Sequence, residues 1–184
     1  MNNPQTKQTD NSHLREKVKL RIDNLPDLNT IKVLDLFSGE GLIWDMIKKQ
    51  TKKDIKVLRV DQKKNKKGLY LIGDNLKYQL NYNHFDVIDI DAYGVPHRQL
   101  ERIFQTVNTP TVLYITYIQT LYGGLPKKML LELGYTEKMT NKIPTLFNAH
   151  AQEKLFQWLS QNGIKKVKYY CNENKRKTYL CISL

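Results

Sequence analysis

Cysteine is scarce in this sequence: Cys171 and Cys181 are the only two among 184 residues. They have neither C-x-x-C spacing nor a neighbouring Cys/His cluster, which argues against a zinc ribbon, a dithiol redox motif or a disulfide framework. Two buried thiols in a reducing compartment are the expectation. No apolar run is long enough for a membrane span. The longest, such as Thr111 to Tyr117, are strand-length against the roughly 20 residues a spanning helix needs. The stretch from Met1 to Ser12 is polar and amide-rich, without the apolar core of a signal peptide, so a cytoplasmic protein is expected. Histidine is sparse as well. His13, His84, His97 and His150 show no metal-ligand spacing, and no metal is expected. Acidic residues are outnumbered: 18 Asp and Glu against 30 Lys and Arg leave a net charge of +12, which favours a polyanionic partner such as nucleic acid.

What is present is a regular alternation of strand and helix patterns. A polar tail over residues 1–12, expected to be disordered, precedes a single domain over residues 13–184. Leu14 to Ile22 reads as a short basic helix ending before Pro26. Apolar strands are expected at Ile31–Leu36, Ile55–Val60, Tyr70–Ile72, Phe85–Ile90 and Thr111–Tyr117. Helices are expected from Leu42 to Lys49, His97 to Val107, Pro126 to Leu133 and Thr145 to Gln161. Such repetition implies a parallel sheet with right-handed crossovers. The last two runs, Lys165–Tyr170 and Lys177–Ser183, flank a short Asn/Lys turn and read as a hairpin, so one strand is antiparallel. The expected fold is a Rossmann-like, doubly wound α/β sheet of six or seven strands, mostly parallel, with helices on both faces.

Four strands in succession end on or next to an acidic residue: Asp35, Asp61, Asp74 and Asp91. In a doubly wound sheet these project from the carboxyl edge, where ligands bind. After the first strand comes Asp35-Leu36-Phe37-Ser38-Gly39-Glu40-Gly41. Gly39 and Gly41 permit a tight turn and close approach of a ligand to the backbone. A dinucleotide loop would place a third glycine where Trp44 stands. Asp35 and Glu40 would repel a pyrophosphate but suit a cationic cofactor. Asp61 is placed to accept from both ribose hydroxyls, and Asp74-Asn75 to meet an adenine amine.

Val33 to Gly41 resembles the first motif of the class I S-adenosylmethionine-dependent methyltransferases, and Asp61 and Gly73-Asp74 are similar to the second and third. The resemblance covers about residues 31–184. It implies S-adenosylmethionine as cofactor, held by Asp35, Phe37, Ser38, Gly39, Glu40, Gly41, Asp61, Asp74, Asn75 and Asp89. More narrowly, Asp89-Ile-Asp-Ala-Tyr-Gly-Val-Pro96 is similar to the D-x-D-P-[FY]-G-x-P stretch of the tRNA guanine exocyclic-amine dimethyltransferases, with Ala92 in place of proline. Leu121 to Tyr135 resembles a later segment of the same family.

An exocyclic amine on a base ring is a poor nucleophile because its lone pair is delocalised. A carboxylate that accepts from its N–H localises that pair, and positioning supplies much of the remaining acceleration. Asp91 is the expected acceptor, and Tyr93 the expected stacking partner for the base. The alternative for Asp91 is a cap on the helix near Pro96, with Tyr93 as packing. Lys63, Lys64, Lys127 and Lys128 are expected to form a basic rim for nucleic acid, RNA in preference to DNA. A cytosine-C5 enzyme is rejected, since the loop Asp91 to Pro96 has no cysteine nucleophile. A DNA amino-methyltransferase, or a non-catalytic nucleic-acid-binding protein that keeps the fold, remains the alternative.

Overall fold

A computed structural model describes residues 13–63, 68–118, 125–142, 149–171 and 177–184. Among these residues seven strands form one sheet: β1 (Thr30–Asp35), β2 (Asp54–Asp61), β3 (Tyr70–Ile72), β4 (Val87–Ile90), β5 (Val112–Ile118), β6 (Val167–Cys171) and β7 (Lys177–Ser183). Their order is β3-β2-β1-β4-β5-β7-β6. The first five strands are parallel. The last strand, β7, runs antiparallel to both its neighbours, between β5 and β6. The expected Rossmann-like sheet with a C-terminal hairpin is the observed one, and its strand order reverses between β1 and β4.

Among the described residues, six α-helices accompany the sheet: α1 (Leu14–Ile22), α2 (Leu42–Gln50), α3 (His97–Thr106), α4 (Lys127–Glu132), α5 (Glu137–Lys142) and α6 (Ala151–Gln161). The central strands β1, β4, β5 and β7 are buried on both faces, so alternate residues feed two cores. Leu34, Leu36, Ile88, Ile90, Leu113 and Ile115 pack towards Leu100, Leu155 and Trp158 on one side. Ile31, Val33, Val87 and Tyr114 pack towards Val18, Trp44 and Ile47 on the other, the side of α1 and α2. In α6 the buried set Ala151, Leu155, Trp158 and Leu159 follows i, i+4, i+7, i+8, the stripe that docks an amphipathic helix.

Several sequence expectations shift. The last helix begins at Ala151, and the expected portion over 145–148 lies outside the described residues. The turn of helix α5 was not expected, because its sequence, EKMTNK, buries only Thr140 and so has no apolar period to read. Cys171 is half-buried and accepts a hydrogen bond from Thr178, whereas Cys181 is buried as expected. Burial pushes the Cys181 thiol up to about 11, so it is inert at neutral pH. Among the described residues, no helix is long and apolar enough to cross a membrane.

Candidate active site

The carboxyl edge of the sheet is built around the loop after β1. Gly39 and Gly41 both have positive φ, +50° and +76°, the left-handed region that favours glycine. At Gly41 there is also a spatial demand, since a Cβ there would lie 2.8 Å from the guanidinium carbon of Arg59. Arg59 is itself buried and ion-paired to Asp45 of α2. The loop is thus clamped between the second strand and the helix it opens. Asp61 closes it from the side: its Oδ2 accepts from the Gly39 N–H at 2.8 Å and its Oδ1 from the Lys63 N–H at 2.8 Å. Each oxygen keeps a second acceptor site. The Ser38 hydroxyl is buried and has no hydrogen-bond partner among the described residues. An orphaned hydroxyl in such a loop is a site that a ligand can satisfy. Phe37 is half-buried against the core, and Glu40 is exposed.

Odd-numbered residues of β1 and β4 face α1 and α2, and three of the expected site residues, Asp35, Asp89 and Asp91, meet at this edge. Asp35 and Asp89 are cross-strand partners in β1 and β4. Burial, together with the neighbouring Asp89 and Asp91 carboxylates, pushes the Asp35 carboxyl well above the usual range, although Arg21 and Arg59 oppose the shift. Asp89 is almost fully buried, and three donors within the protein hold it. Arg21 of α1 donates to its two oxygens at 2.6 and 2.7 Å, and the Trp44 indole N–H donates at 2.8 Å. Asp89 therefore anchors α1 and α2 to the sheet.

Asp91 lies just beyond β4 and does not cap α3, whose first turn has no side-chain cap. Instead Lys17 of α1 donates to both Asp91 oxygens at 2.9 Å, and Thr116 of β5 donates to Oδ1. Lys17 is itself nearly buried, with its ammonium 5.3 Å from the centre of the Tyr179 ring. Of the four acceptor directions on a carboxylate, three are used, and one remains on Oδ2. Tyr93, two residues on, is 70% exposed and does not pack in the core. Lys17, Arg21 and Thr116 are the residues that motif reading missed, since none lies in a loop after a parallel strand.

Other expected residues are placed as follows. Asp74 accepts from the Leu76 N–H and caps a short 3-10 turn, and Asn75 is buried between Leu36 and Gln99. Lys127 and Lys128 are ion-paired to Glu137 and Glu101, so they bring less unmatched charge than the sequence implies. Lys64 lies outside the described residues, as does the segment 121–124. The fold also gathers His97, Glu101 and Glu132, with donor atoms within 4.8 Å of one another, which sequence spacing did not reveal. Two cationic and polar groups already serve these carboxylates. Lys128 pairs with Glu101, and the Trp158 N–H donates to Glu132 at 2.6 Å. The cluster reads as a latch between α3, α4 and α6.

No family model and no curated protein matches the sequence. The fold, in contrast, is that of solved methyltransferases. TYW2 of M. jannaschii in complex with AdoMet superposes with a TM-score of 0.54 at 14% identity, over 97% of this chain and 77% of that one. A SAM-dependent methyltransferase from Aquifex aeolicus gives 0.51 at 18% identity, over 91% and 88% of the two chains. The plantazolicin methyltransferase BpumL in complex with SAH gives 0.52 at 13% identity, over 90% and 79%. At these identities the likeness is one of fold.

Proposed function

We propose that this protein is an S-adenosylmethionine-dependent methyltransferase acting on a base exocyclic amine in RNA. The observation that carries this reading is the meeting of the glycine loop with Asp35, Asp61 and Asp91 at one sheet edge. The residues fit the cofactor. Asp61 offers free acceptor directions for ribose hydroxyls, the orphaned Ser38 hydroxyl gains a partner, and the Asp35 carboxyl, reluctant to ionise alone, welcomes a cation. When bound, S-adenosylmethionine supplies an electrophilic methyl group. The chain's own part is to hold and orient the acceptor. Lys17 and Thr116 fix the Asp91 carboxylate, and the remaining direction on Oδ2 accepts from the amine N–H. The exposed Tyr93 ring offers a stacking face for an unpaired base. A nucleic-acid substrate rests on the +12 charge, and the preference for RNA on the resemblance of residues 89–96.

The experiment is calorimetry with S-adenosylmethionine followed by labelled-methyl transfer to total RNA and to DNA. The wild type is expected to bind the cofactor and label RNA, and Asp61→Ala to lose most of the affinity. Asp91→Ala and Lys17→Met are expected to bind the cofactor normally yet lose transfer by 100-fold or more, in the range of lost acid–base and positioning contributions of about 10²–10⁴. Lys17→Arg, which keeps the charge, is expected to retain part of it. Failure of the wild type to bind S-adenosylmethionine sinks the enzyme reading. Labelling of DNA alone selects the DNA amino-methyltransferase instead.

A further inference from the structure

A groove of about 680 Å³ opens on the α1 side of the sheet, between the end of α1 and the β6–β7 edge. It lies at the end of the sheet opposite the glycine loop, since Val112, the first residue of β5, and Ser183, the last of antiparallel β7, both line it. Three exposed lysines contribute to its wall: Lys165, Lys166 and Lys168. The acidic residue in the wall, Asp23, is already paired to Lys19 at 2.7 Å. Lys168 reaches a neutral partner, the Asn24 side-chain oxygen, at 2.6 Å, which holds its ammonium in place without neutralising it. The groove is therefore strongly cationic, in contrast to the Lys127–Lys128 pair, whose charges Glu137 and Glu101 match.

Distance and spacing say what fits. From Thr116, which touches Asp91, to Val112 in the groove wall is four residues of β5, or about 13 Å. Along α1, Lys17 and Asp23 are six residues apart, about 9 Å of helix. A polymer seated on both regions thus needs to extend only a few units. Lys166 and Lys168 stand two residues apart on an extended chain, about 6.6 Å, close to the separation of successive backbone phosphates. A free nucleoside or other small acceptor would reach the catalytic edge without touching this groove. We infer that the groove holds the phosphate backbone of the RNA strand flanking the target nucleotide, which rests on the RNA reading above and extends it to the substrate's length.

The test is fluorescence anisotropy of a labelled single-stranded RNA oligonucleotide over a series of KCl concentrations. Each phosphate neutralised on a single strand contributes a slope of about −0.7 in log affinity against log salt. The triple variant Lys165→Gln, Lys166→Gln, Lys168→Gln is expected to flatten the slope by about 2 relative to wild type. An equal charge change elsewhere, Lys48→Gln, Lys49→Gln, Lys52→Gln, is expected to leave it within about 0.5 of wild type. Both sets are exposed, so thermal melts should show each variant folded. An unchanged slope in the groove variant, or equal flattening in both, overturns the inference while leaving RNA methylation standing. Displacement of the RNA by poly-glutamate at equal charge concentration overturns it too, in favour of an acidic protein partner. A wild type with no affinity for RNA removes this inference and the RNA reading together.

Discussion

Asp35 sits where a negative charge is disfavoured. Its carboxyl is buried beside Asp89 and Asp91 and is pushed well above the ordinary range. A raised carboxyl contributes stability that is present at low pH and lost as pH rises through the folded-state value. Asp35→Asn is therefore expected to melt at the same or a higher temperature than wild type at pH 8. It is also expected to bind S-adenosylmethionine at least tenfold more weakly. The same ionisation makes binding pH-linked: a cation arriving at Asp35 expels its proton. Calorimetry in two buffers of different ionisation heat is expected to show proton release in the wild type and none in Asp35→Asn. Equal proton release in both would remove Asp35 from the cofactor site. This residue was legible in the sequence as a strand-end acid beside a glycine turn. Its unusual ionisation was not, because that depends on partners 54 and 56 residues away in the chain, Asp89 and Asp91.

At the scale of elements, α1 carries the structure's main correction to the sequence. It looked like a short basic helix, and its buried side is indeed Lys17, Val18 and Arg21 rather than an apolar stripe. Yet basic residues at i and i+4 of a helix stand about 6 Å apart, and acidic residues at i and i+2 of a strand about 6.6 Å. Lys17 and Arg21 match Asp91 and Asp89 on that spacing. The signal was in the sequence, but nothing local says which basic helix meets which acidic strand. Removing one partner of so buried a pair leaves an uncompensated charge, so Arg21→Met is expected to cost about 3–5 kcal/mol in urea unfolding. The double variant Arg21→Met, Asp89→Leu is expected to recover most of that. If the recovered protein also binds S-adenosylmethionine with wild-type affinity, Asp89 serves only to anchor α1 and α2; if affinity is lost, it serves the cofactor as well. The strands and the helix α2 were legible for a simpler reason. Their apolar periods can be read along the chain, whereas α5 buries a single residue and the latch of His97, Glu101 and Glu132 joins two helices, α3 and α4, to Trp158 of α6.

For the whole molecule, the order β5-β7-β6 ties the middle of the sequence to its last strand. Val112 faces Ser183 and Ile118 faces Lys177, so β5 finds its second neighbour only through contacts of long sequence separation. Such contacts are slow to form, because loop closure precedes their reward. A nascent chain therefore holds β1, β2, β3 and β4 ready while β5 still presents an open edge of Val112-Leu-Tyr-Ile-Thr-Tyr-Ile118. That edge is apolar and rich in β-branched residues, the kind that recruits other strands. A chain ended before Lys177 is expected to appear in the pellet on expression, and the full chain in the supernatant. Equal recovery of both in the supernatant would show that β7 is dispensable. The surroundings of Asp91 are thus completed by pairing across a long stretch of chain: Thr116 and Tyr179, which flank Lys17 and Asp91, become neighbours only once β7 has docked on β5.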